Sequence, residues 1–277
     1  RPLTPWPALL VEHGECVLVV ADLHLGYEYE LAGQGINLPS QTPKILDSLI
    51  RLLEKFKPGR LLILGDLKHN IPRLSIQEWY DLPPFFEEVR RRVAMAELIP
   101  GNHDGGVTRI ASSALKILSR RGVLVNSGKE RVGFFHGHTW PAPRIFEADT
   151  WVVGHNHPAV MFRGLFGFRS LKPAWVKVEF STRTMVEAFL KHRNVNFGNK
   201  KPERVMENLF GVQPRCSKLV IMPAFNDLLG GLAFNSKPAT ELLGPIVRPD
   251  CVDLARGEVF LTDGTFLGSL EHLRKLS

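Results

Sequence analysis

The first 160 residues repeat one pattern of hydrophobic and polar positions. A short apolar run ends abruptly at a polar residue or glycine, and a stretch with helical spacing of apolar side chains follows. Continuous apolar runs of this length are typical of strands that are covered on both faces. The five runs begin at Cys16, Arg60, Ala96, Val132 and Trp151, and they stop at Asp22, Asp66, Gly101, His136 and His155. The pattern predicts strands that alternate with helices, and therefore a sheet covered by helical layers.

Two helices are predicted between these strands. Residues 42–56 place their apolar side chains at helical spacing. Residues 75–93 also favour a helix, although the adjacent Pro83 and Pro84 lie near its centre.

The second half of the chain has a different pattern of hydrophobic and polar positions, with shorter strand candidates separated by loops. Residues 174–180 predict a strand, and Asp263-Gly264 between two strand-like runs predicts a hairpin. Residues 192–204 are polar and basic, and they are interpreted as a long loop or insertion. Without a repeat or a clear linker, we divide the chain into a core of residues 1–190, which holds all the motifs, and a basic C-terminal elaboration of residues 191–277 packed on that core.

Composition narrows the class of protein. Hydrophobic residues make up 44% of the chain and charged residues 23%, which excludes a disordered or collagen-like protein. The longest convincing apolar run, residues 16–21, is far shorter than the ~18 residues that a membrane span needs. The first residues lack the features of a secretory signal, and the three cysteines are far apart. We therefore expect a cytoplasmic protein without disulfides, without a thiolate zinc site and without a membrane partner.

The net charge of +7 is unevenly distributed. Residues 1–160 hold 18 Lys and Arg against 17 Asp and Glu, whereas residues 161–277 hold 17 against 11. A basic second half suits a phosphate-bearing partner such as DNA or RNA, and it equally suits a solvated surface.

Two histidine-containing triplets follow predicted strands. They are Asp22-Leu23-His24 and His155-Asn156-His157. In extended backbone, residues i and i+2 face the same side, so each triplet could present two donors to one metal ion. The carboxyl ends of the strands in such sheets meet in one crevice, which predicts that the triplets lie close together. Taken alone, each triplet is also consistent with a structural cap.

Three further motifs follow the other strands. They are Gly65-Asp66, Gly101-Asn102-His103-Asp104 and His136-Gly137-His138. Glycine lets the backbone turn sharply, Asn offers a neutral carbonyl oxygen to a metal, and His can donate a proton. As isolated motifs they are also typical of polar turns and helix caps.

In their order along the chain, the five motifs resemble the signature of calcineurin-like metallophosphoesterases. The resemblance covers all five blocks between Asp22 and His157. Residues 64–72 and 222–226 resemble a prokaryotic group of predicted phosphoesterases, some of whose relatives are associated with DNA ligases or helicases. The resemblance implies an α/β fold of the four-layer αββα sandwich type and a metal-dependent hydrolase of phosphate esters.

The resemblance also implies a ligand set. One metal would be held by Asp22, His24 and His157, a second by Asn102, His136 and His155, with Asp66 bridging the two and His103 protonating the leaving oxygen. Seven O and N donors without thiolate suit two divalent ions of Mn, Fe, Zn or Ni, and the many imidazoles disfavour Ca²⁺ or Mg²⁺ alone. Manganese is the first choice.

Other polar residues near the motifs have two interpretations each. Asp104 is expected to orient the catalytic imidazole or to cap the next helix, rather than to bind metal. His138 could contact substrate or be a neutral, hydrogen-bonded histidine. Lys68, His69 and Arg144 could bind the phosphate of the substrate or be solvated.

The expected function is hydrolysis of phosphate esters, with phosphodiesters slightly preferred. The basic second half favours a nuclease, but its cations lack interleaved aromatic residues, since Phe197 is alone in the most basic loop. A nuclease and an esterase of small substrates are therefore expected about equally. The alternative from another class is a catalytically silent metal-binding interaction module. Degenerate relatives usually lose a ligand, whereas here every expected ligand and His103 are present.

Overall fold

The structure, a computed structural model, describes residues 1–111, 114–128, 130–236 and 238–276. These residues form two β-sheets flanked by helices. The first sheet has the spatial order β1 (Pro2–Leu3), β2 (Ala8–His13), β3 (Glu15–Val20), β4 (Arg60–Ile63), β5 (Met95–Leu98) and β6 (Lys116–Ile117). The strands from β3 to β6 are parallel to one another.

The second sheet is mixed. Its strands are β7 (Val123–Ser127), β8 (Glu130–Phe134), β9 (Thr150–Val153), β10 (Pro158–Arg163), β11 (Arg169–Glu179), β12 (Lys218–Ile221), β13 (Leu232–Ala233), β14 (Glu258–Leu261) and β15 (Phe266–Ser269). The spatial order is β13-β10-β11-β12-β9-β8-β7, with β14 paired to β11 and β15 paired to β14.

Six α-helices lie within the described residues. They are α1 (Tyr27–Gly33), α2 (Thr42–Phe56), α3 (Ile76–Arg90), α4 (Thr182–His192), α5 (Pro202–Phe210) and α6 (Leu270–Lys275). Short 3₁₀ helices are found at Val107–Arg109, Pro143–Glu147, Leu165–Gly167, Asp227–Leu229, Ala239–Glu241 and Leu254–Arg256. None of the α-helices in this part of the chain combines the length and apolar character that crossing a bilayer requires.

The alternation of side chains along β3 explains why its apolar run is continuous. Val17 and Val19 pack in the layer between the two sheets, whereas Leu18 and Val20 pack beneath α2 and α3. Because both faces of this strand are buried, its sequence does not alternate between apolar and polar residues.

Three hydrophobic clusters define four layers. One lies between the first sheet and α2 and α3, and another lies between the two sheets, where Phe134 and Trp175 of the second sheet face Leu62 of the first. The third covers the outer face of the second sheet with side chains from α4, α5 and α6. The expected four-layer αββα sandwich is therefore confirmed.

The two helices expected in the first half are both present. Helix α2 spans the expected residues 42–56. Helix α3 begins after Ser75, whose hydroxyl accepts from the backbone N–H of Glu78 while the Glu78 carboxylate accepts from the backbone of Ser75. This reciprocal capping stabilises the first turn of a helix that contains Pro83 and Pro84.

The expectation of a long loop over residues 192–204 is wrong at both ends. Helix α4 continues to His192, and α5 begins at Pro202. The fixed φ of proline suits the first turn of a helix, so Pro202 begins a helix where the basic composition suggested none. Only residues 193–201 connect the two helices.

The division into residues 1–190 and 191–277 remains a prediction. Residues beyond 190 supply β12, which lies between β9 and β11. They also supply the hairpin of β14 and β15, whose turn contains the expected Asp263-Gly264, with Gly264 at φ +92°. The C-terminal residues thus complete the second sheet.

Candidate metal centre

Five loops at the carboxyl ends of parallel strands meet at one edge of the sandwich. In the first sheet they follow β3, β4 and β5, and in the second they follow β8 and β9. Backbone hydrogen bonds join neighbouring loops, such as those from His24 N–H to the Asp66 oxygen (2.8 Å) and from Gly154 N–H to the His136 oxygen (3.0 Å). His136 Nδ1 lies 2.9 Å from the backbone oxygen of Leu64, which joins the two sheets.

The structure brings six of the expected site residues into two groups. The first cluster is Asp22, His24 and His157, and the second cluster is Asp66, His136 and His155; in each, the ligand atoms lie within 4.8 Å of one another. The Asp66 carboxylate reaches both, since its Oδ2 lies 3.2 Å from His136 Nε2 and 3.5 Å from His24 Nε2. Asp66 therefore occupies the position that a residue shared between two cations would need.

The donor atoms fit divalent cations. The Nε2 atoms of His24, His136 and His157 are buried and have no hydrogen-bond partner, although each lies between 3.2 and 3.5 Å from a carboxylate oxygen. Two ligands that each bind a cation at ~2.1 Å lie about 3.4 Å apart at angles near tetrahedral. Buried polar atoms normally have partners, so these three atoms are suited to coordinate a cation.

Backbone strain is concentrated at the same place. Of the non-glycine residues with positive φ, five belong to the two clusters: Asp22 (57°), His24 (41°), Asp66 (48°), His155 (70°) and His157 (40°). Residues other than glycine adopt this conformation rarely, and they persist in it where the surroundings impose it, often at functional sites.

These backbone angles correct the sequence argument for the two triplets. Asp22 and His24, like His155 and His157, do not lie in extended backbone, because they follow the ends of β3 and β9 in the left-handed region. As a result His155 and His157 enter different clusters instead of facing one ion together. The argument from strand periodicity therefore fails for His155 and His157, whereas Asp22 and His24 do lie in one cluster, and the division of ligands implied by the family resemblance stays a prediction.

The loop after β5 lies against Asp66. His103 N–H donates to Asp66 Oδ1 (2.8 Å), and a Cβ added to Gly101 would lie 2.6 Å from the Asp66 backbone nitrogen. This loop can approach so closely only because Gly101 has no side chain. Asn102, between these two residues, is exposed.

Asp104 has a different role from the two that were expected. Its carboxylate is buried and accepts from the backbone N–H of Gly101 (2.8 Å) and Leu67 (2.9 Å), rather than from His103 or a helix N-terminus. It therefore joins the loops after β4 and β5. Burial and the nearby Asp66 raise the pKa of Asp104 to about 6, against the effect of the backbone donors.

Burial sets the protonation of several imidazoles. It lowers the pKa of His24 well below its usual value and that of His155 to about 3, so both are neutral at pH 7, the form that binds cations. Burial also opposes charging of His136, but Asp66 overcomes this and raises the pKa of His136 to about 9. In return, His136 and His24 hold the pKa of Asp66 well below its usual range although burial acts in the other direction.

His69 was expected to bind phosphate or to be solvated, and the structure instead buries it between His24 and Glu30. Its Nδ1 lies 2.9 Å from Nδ1 of His24, and its Nε2 lies 2.6 Å from Oε2 of Glu30. Its backbone oxygen is hydrogen-bonded to Nδ1 of His103. Glu30 lies in α1 without a motif of its own, so no sequence signal identified it.

The other ambiguous residues also have defined positions. Lys68 is buried and its ammonium donates to the backbone oxygen of Asn70, which disagrees with a phosphate-binding role. Arg144 is exposed in a 3₁₀ helix. His138 lies 5.2 Å from His136 between ring centroids, and burial lowers the pKa of His138 to about 4.

The C-terminal half supports the metal-site loops. Asn226, which is buried, donates from Nδ2 to the backbone oxygen of Leu23 (2.9 Å), between Asp22 and His24. Asn156 exchanges two hydrogen bonds of 2.9 Å with the backbone of Leu243. Residues 222–226 were noted in the sequence only as a resemblance, and their structural role depends on contacts about 200 residues apart in the chain.

Comparison with known proteins agrees with this fold. The chain belongs to the calcineurin-like phosphoesterase family, whose sequence model matches residues 17–178. It is therefore a metal-dependent hydrolase of phosphate esters, with His and Asp clusters able to bind divalent cations. No curated protein matches the sequence significantly.

Solved structures resemble the chain at low sequence identity. The nuclease MPE of Pseudomonas putida superposes with a TM-score of 0.51 at 18% identity, over 94% of this chain and 100% of that chain. The phosphoesterase Yfce of E. coli gives a TM-score of 0.34 at 23% identity, over 53% of this chain and 73% of that chain. Vps29 of Entamoeba histolytica, crystallised with Zn²⁺, gives 0.29 at 14%, over 56% and 71%. The likeness to the nuclease concerns the fold alone.

Proposed function

We propose that the protein hydrolyses phosphodiesters with two divalent cations. Asp22, His24 and His157 would hold one cation, Asn102, His136 and His155 the other, and Asp66 both. The observation that supports this most is the set of three buried imidazole nitrogens that face carboxylates without hydrogen bonds. The mixed imidazole and oxygen donors suit Mn, Fe, Zn and Ni, of which manganese is proposed first.

When bound, the cations would polarise the phosphate and produce a nucleophile from water near neutral pH. The protein holds the donors for this chemistry in fixed positions before a ligand arrives. Asp22 accepts from the backbone N–H of His155 (3.0 Å), and Asp66 accepts from that of His103 (2.8 Å). Each carboxylate therefore has an orientation that the neighbouring loop maintains.

His103 is the proposed general acid. Its Nδ1 is hydrogen-bonded to the backbone oxygen of His69, and a carbonyl oxygen can only accept, so Nδ1 carries a proton. Nε2 carries a proton only in the imidazolium form. That proton would pass to the leaving oxygen, a role commonly worth about 10²–10⁴ in rate.

Diesters are proposed ahead of monoesters because of the charge on the second half of the chain. Residues 161–277 carry 17 Lys and Arg against 11 Asp and Glu, which favours an extended polyanion over a single small phosphate. DNA and RNA are both diesters of this kind.

We also propose a reducing, cytoplasmic environment. Cys16, Cys216 and Cys251 are all free, and the last two are buried. Burial raises the pKa of Cys216 well above its usual value and that of Cys251 to about 12, so neither is a reactive thiolate.

The first test is turnover of bis-p-nitrophenyl phosphate and p-nitrophenyl phosphate by the manganese-loaded protein. We expect cleavage of the diester that chelator abolishes and that His103→Ala lowers by about 10²-fold or more. His272→Ala is the matched control, because His272 is exposed on α6.

Each other outcome has a defined meaning. Cleavage of the monoester alone would show that the protein is a phosphatase and would reject the proposed diesterase activity. No cleavage by protein that holds two cations per chain would reject the enzyme and favour the metal-binding interaction module.

A further inference from the structure

The hairpin of β10 and β11 rises above the edge of the sheet that carries the metal centre. Strand β9 is parallel to β12, β12 is antiparallel to β11, and β11 is antiparallel to β10, so β10 continues in the direction of β9. Val176 of β11 is level with Val153, the last residue of β9, through Ile221 of β12. Arg169 lies seven residues beyond Val176, which places it about 23 Å above that edge at 3.3 Å per residue.

The upper part of this hairpin, residues 162–172, is called the hairpin tip. It exposes three phenylalanines: Phe162 is 37% exposed, Phe168 is 74% exposed and Phe166 is fully exposed. Phenylalanine is usually buried, so a group of three exposed rings on one short segment is the kind of surface that marks an interaction site.

The same segment concentrates positive charge. Arg163 and Arg169 are direct partners across the hairpin, an arrangement that is unfavourable for like charges. The Lys172 ammonium lies 5.9 Å from the ring centroid of Phe162. The sequence contains no Asp or Glu between Asp149 and Glu179. Nothing in this stretch of sequence neutralises the two guanidiniums, which therefore favour an anionic partner.

We propose that the hairpin tip binds single-stranded nucleic acid and guides it to the metal centre. Exposed rings stack on bases, guanidiniums pair with phosphates or stack on bases, and only a single strand offers its base faces freely. The hairpin begins directly after His157, so a strand held at the tip continues towards the first cluster. This inference rests on the proposed phosphodiester hydrolysis and deepens it by naming the substrate class and the surface that binds it.

The hairpin tip also corrects an expectation from the sequence. Aromatic residues were expected to be absent among the cations of the second half, yet Phe162, Phe166 and Phe168 lie among Arg163 and Arg169. Lys and Arg are denser in residues 192–204 than in the hairpin tip, so their density alone does not identify this segment.

The test is binding of a fluorescent 20-nucleotide oligothymidine to manganese-loaded protein, measured by anisotropy at several salt concentrations. We expect the double substitution Phe166→Ala and Phe168→Ala to weaken binding about tenfold or more. We expect Arg163→Gln with Arg169→Gln to reduce the slope of log K against log salt by about 0.7 for each lost phosphate contact. Both pairs of substitutions are at exposed positions, and thermal melting checks that the variants fold.

Two surface variants on other elements serve as controls. Tyr80 is 77% exposed on α3, and Arg256 is exposed beside the opposite end of β11, since its neighbour Glu258 pairs with Lys177. Tyr80→Ala and Arg256→Gln should bind the oligonucleotide as tightly as the wild type does.

The outcomes separate this proposal from the proposed function. Unchanged affinity in both double variants, absence of binding by the wild type at 50 mM salt, or a duplex that binds as tightly as the single strand would each overturn the hairpin proposal. Turnover of bis-p-nitrophenyl phosphate is measured in parallel on the same preparations. If the protein cleaves this diester, the proposed diesterase activity stands even when the binding results overturn the hairpin proposal. If it does not, the proposed diesterase activity is rejected whatever the binding results are.

Discussion

The Nδ1 atoms of His24 and His69 lie 2.9 Å apart, and the far nitrogen of His69 contacts Glu30. The Nε2 of His24 faces Asp66 without a hydrogen bond and is the nitrogen available for a cation. Nδ1 of His24 therefore carries the proton and donates it to His69, and His69 donates from Nε2 to Glu30. A chain of two imidazoles and a carboxylate thus fixes the tautomer of a proposed metal ligand.

Removing this support should weaken metal binding. We expect His69→Ala to lower Mn²⁺ affinity about 10- to 100-fold, the usual effect of losing a group that orients a ligand. Glu30→Gln should have a smaller effect, because Glu30 is one residue further away and half-exposed. Isothermal titration calorimetry measures both, with His272→Ala as the control. Wild-type affinity in His69→Ala would contradict the orienting role.

Asp66→Asn tests the shared position between the two clusters. Asp66 Oδ2 faces both clusters while Oδ1 accepts from His103 N–H, so an uncharged amide must turn its NH₂ either to the cations or to that N–H donor. We expect the bound manganese to fall from two ions per chain to at most one, measured by plasma mass spectrometry after desalting. Asp47→Asn, an exposed position on α2, should retain both ions. Two ions in Asp66→Asn would show that the clusters do not share this carboxylate.

Gly101→Ala tests the close approach of the loop after β5. The added methyl group would lie 2.6 Å from the Asp66 backbone nitrogen, which is too close for any contact and cannot be relieved by a rotamer change. We expect a loss of about 1–3 kcal/mol in the free energy of unfolding, together with weaker Mn²⁺ binding. Gly33→Ala meets nothing within 4 Å and should be neutral or slightly stabilising. Equal stability of the two variants in urea would refute the argument.

His138 should make the chelator-treated protein acid-sensitive. Burial lowers the pKa of His138 in the folded chain to about 4, below the 6.5 of an unfolded one, so the unfolded state binds more protons between these values. Stability is therefore lost as the pH falls from about 6.5 to about 4. In His138→Asn we expect the slope of unfolding free energy against pH to decrease in this window, by at most one proton. Urea titrations at several pH values measure the slope, and an unchanged slope would assign the titration to other groups.

The sequence predicts the elements of this fold better than it predicts the contacts of the site. Two of these elements follow from local patterns. The apolar run before Asp22 belongs to a strand that is buried on both faces, and the helical spacing of residues 42–56 belongs to a helix that is buried on one face. The placement of His155 and His157 in different clusters depends on a left-handed backbone that contacts between distant loops impose. The contact between His24 and His69 depends on the packing of loops 45 residues apart, which no periodicity encodes.

Strand β12 lies between β9 and β11 in the sheet, although it is synthesised after both of them. All seven proposed metal ligands have been synthesised once His157 is made, but the strand that holds β9 against β11 comes more than 60 residues later. Asn226, which fixes the loop of Asp22 and His24, follows that strand directly. A nascent chain that stops before this point carries every ligand and still lacks the frame that positions them. We therefore expect no hydrolytic activity from a chain that ends before Asn226.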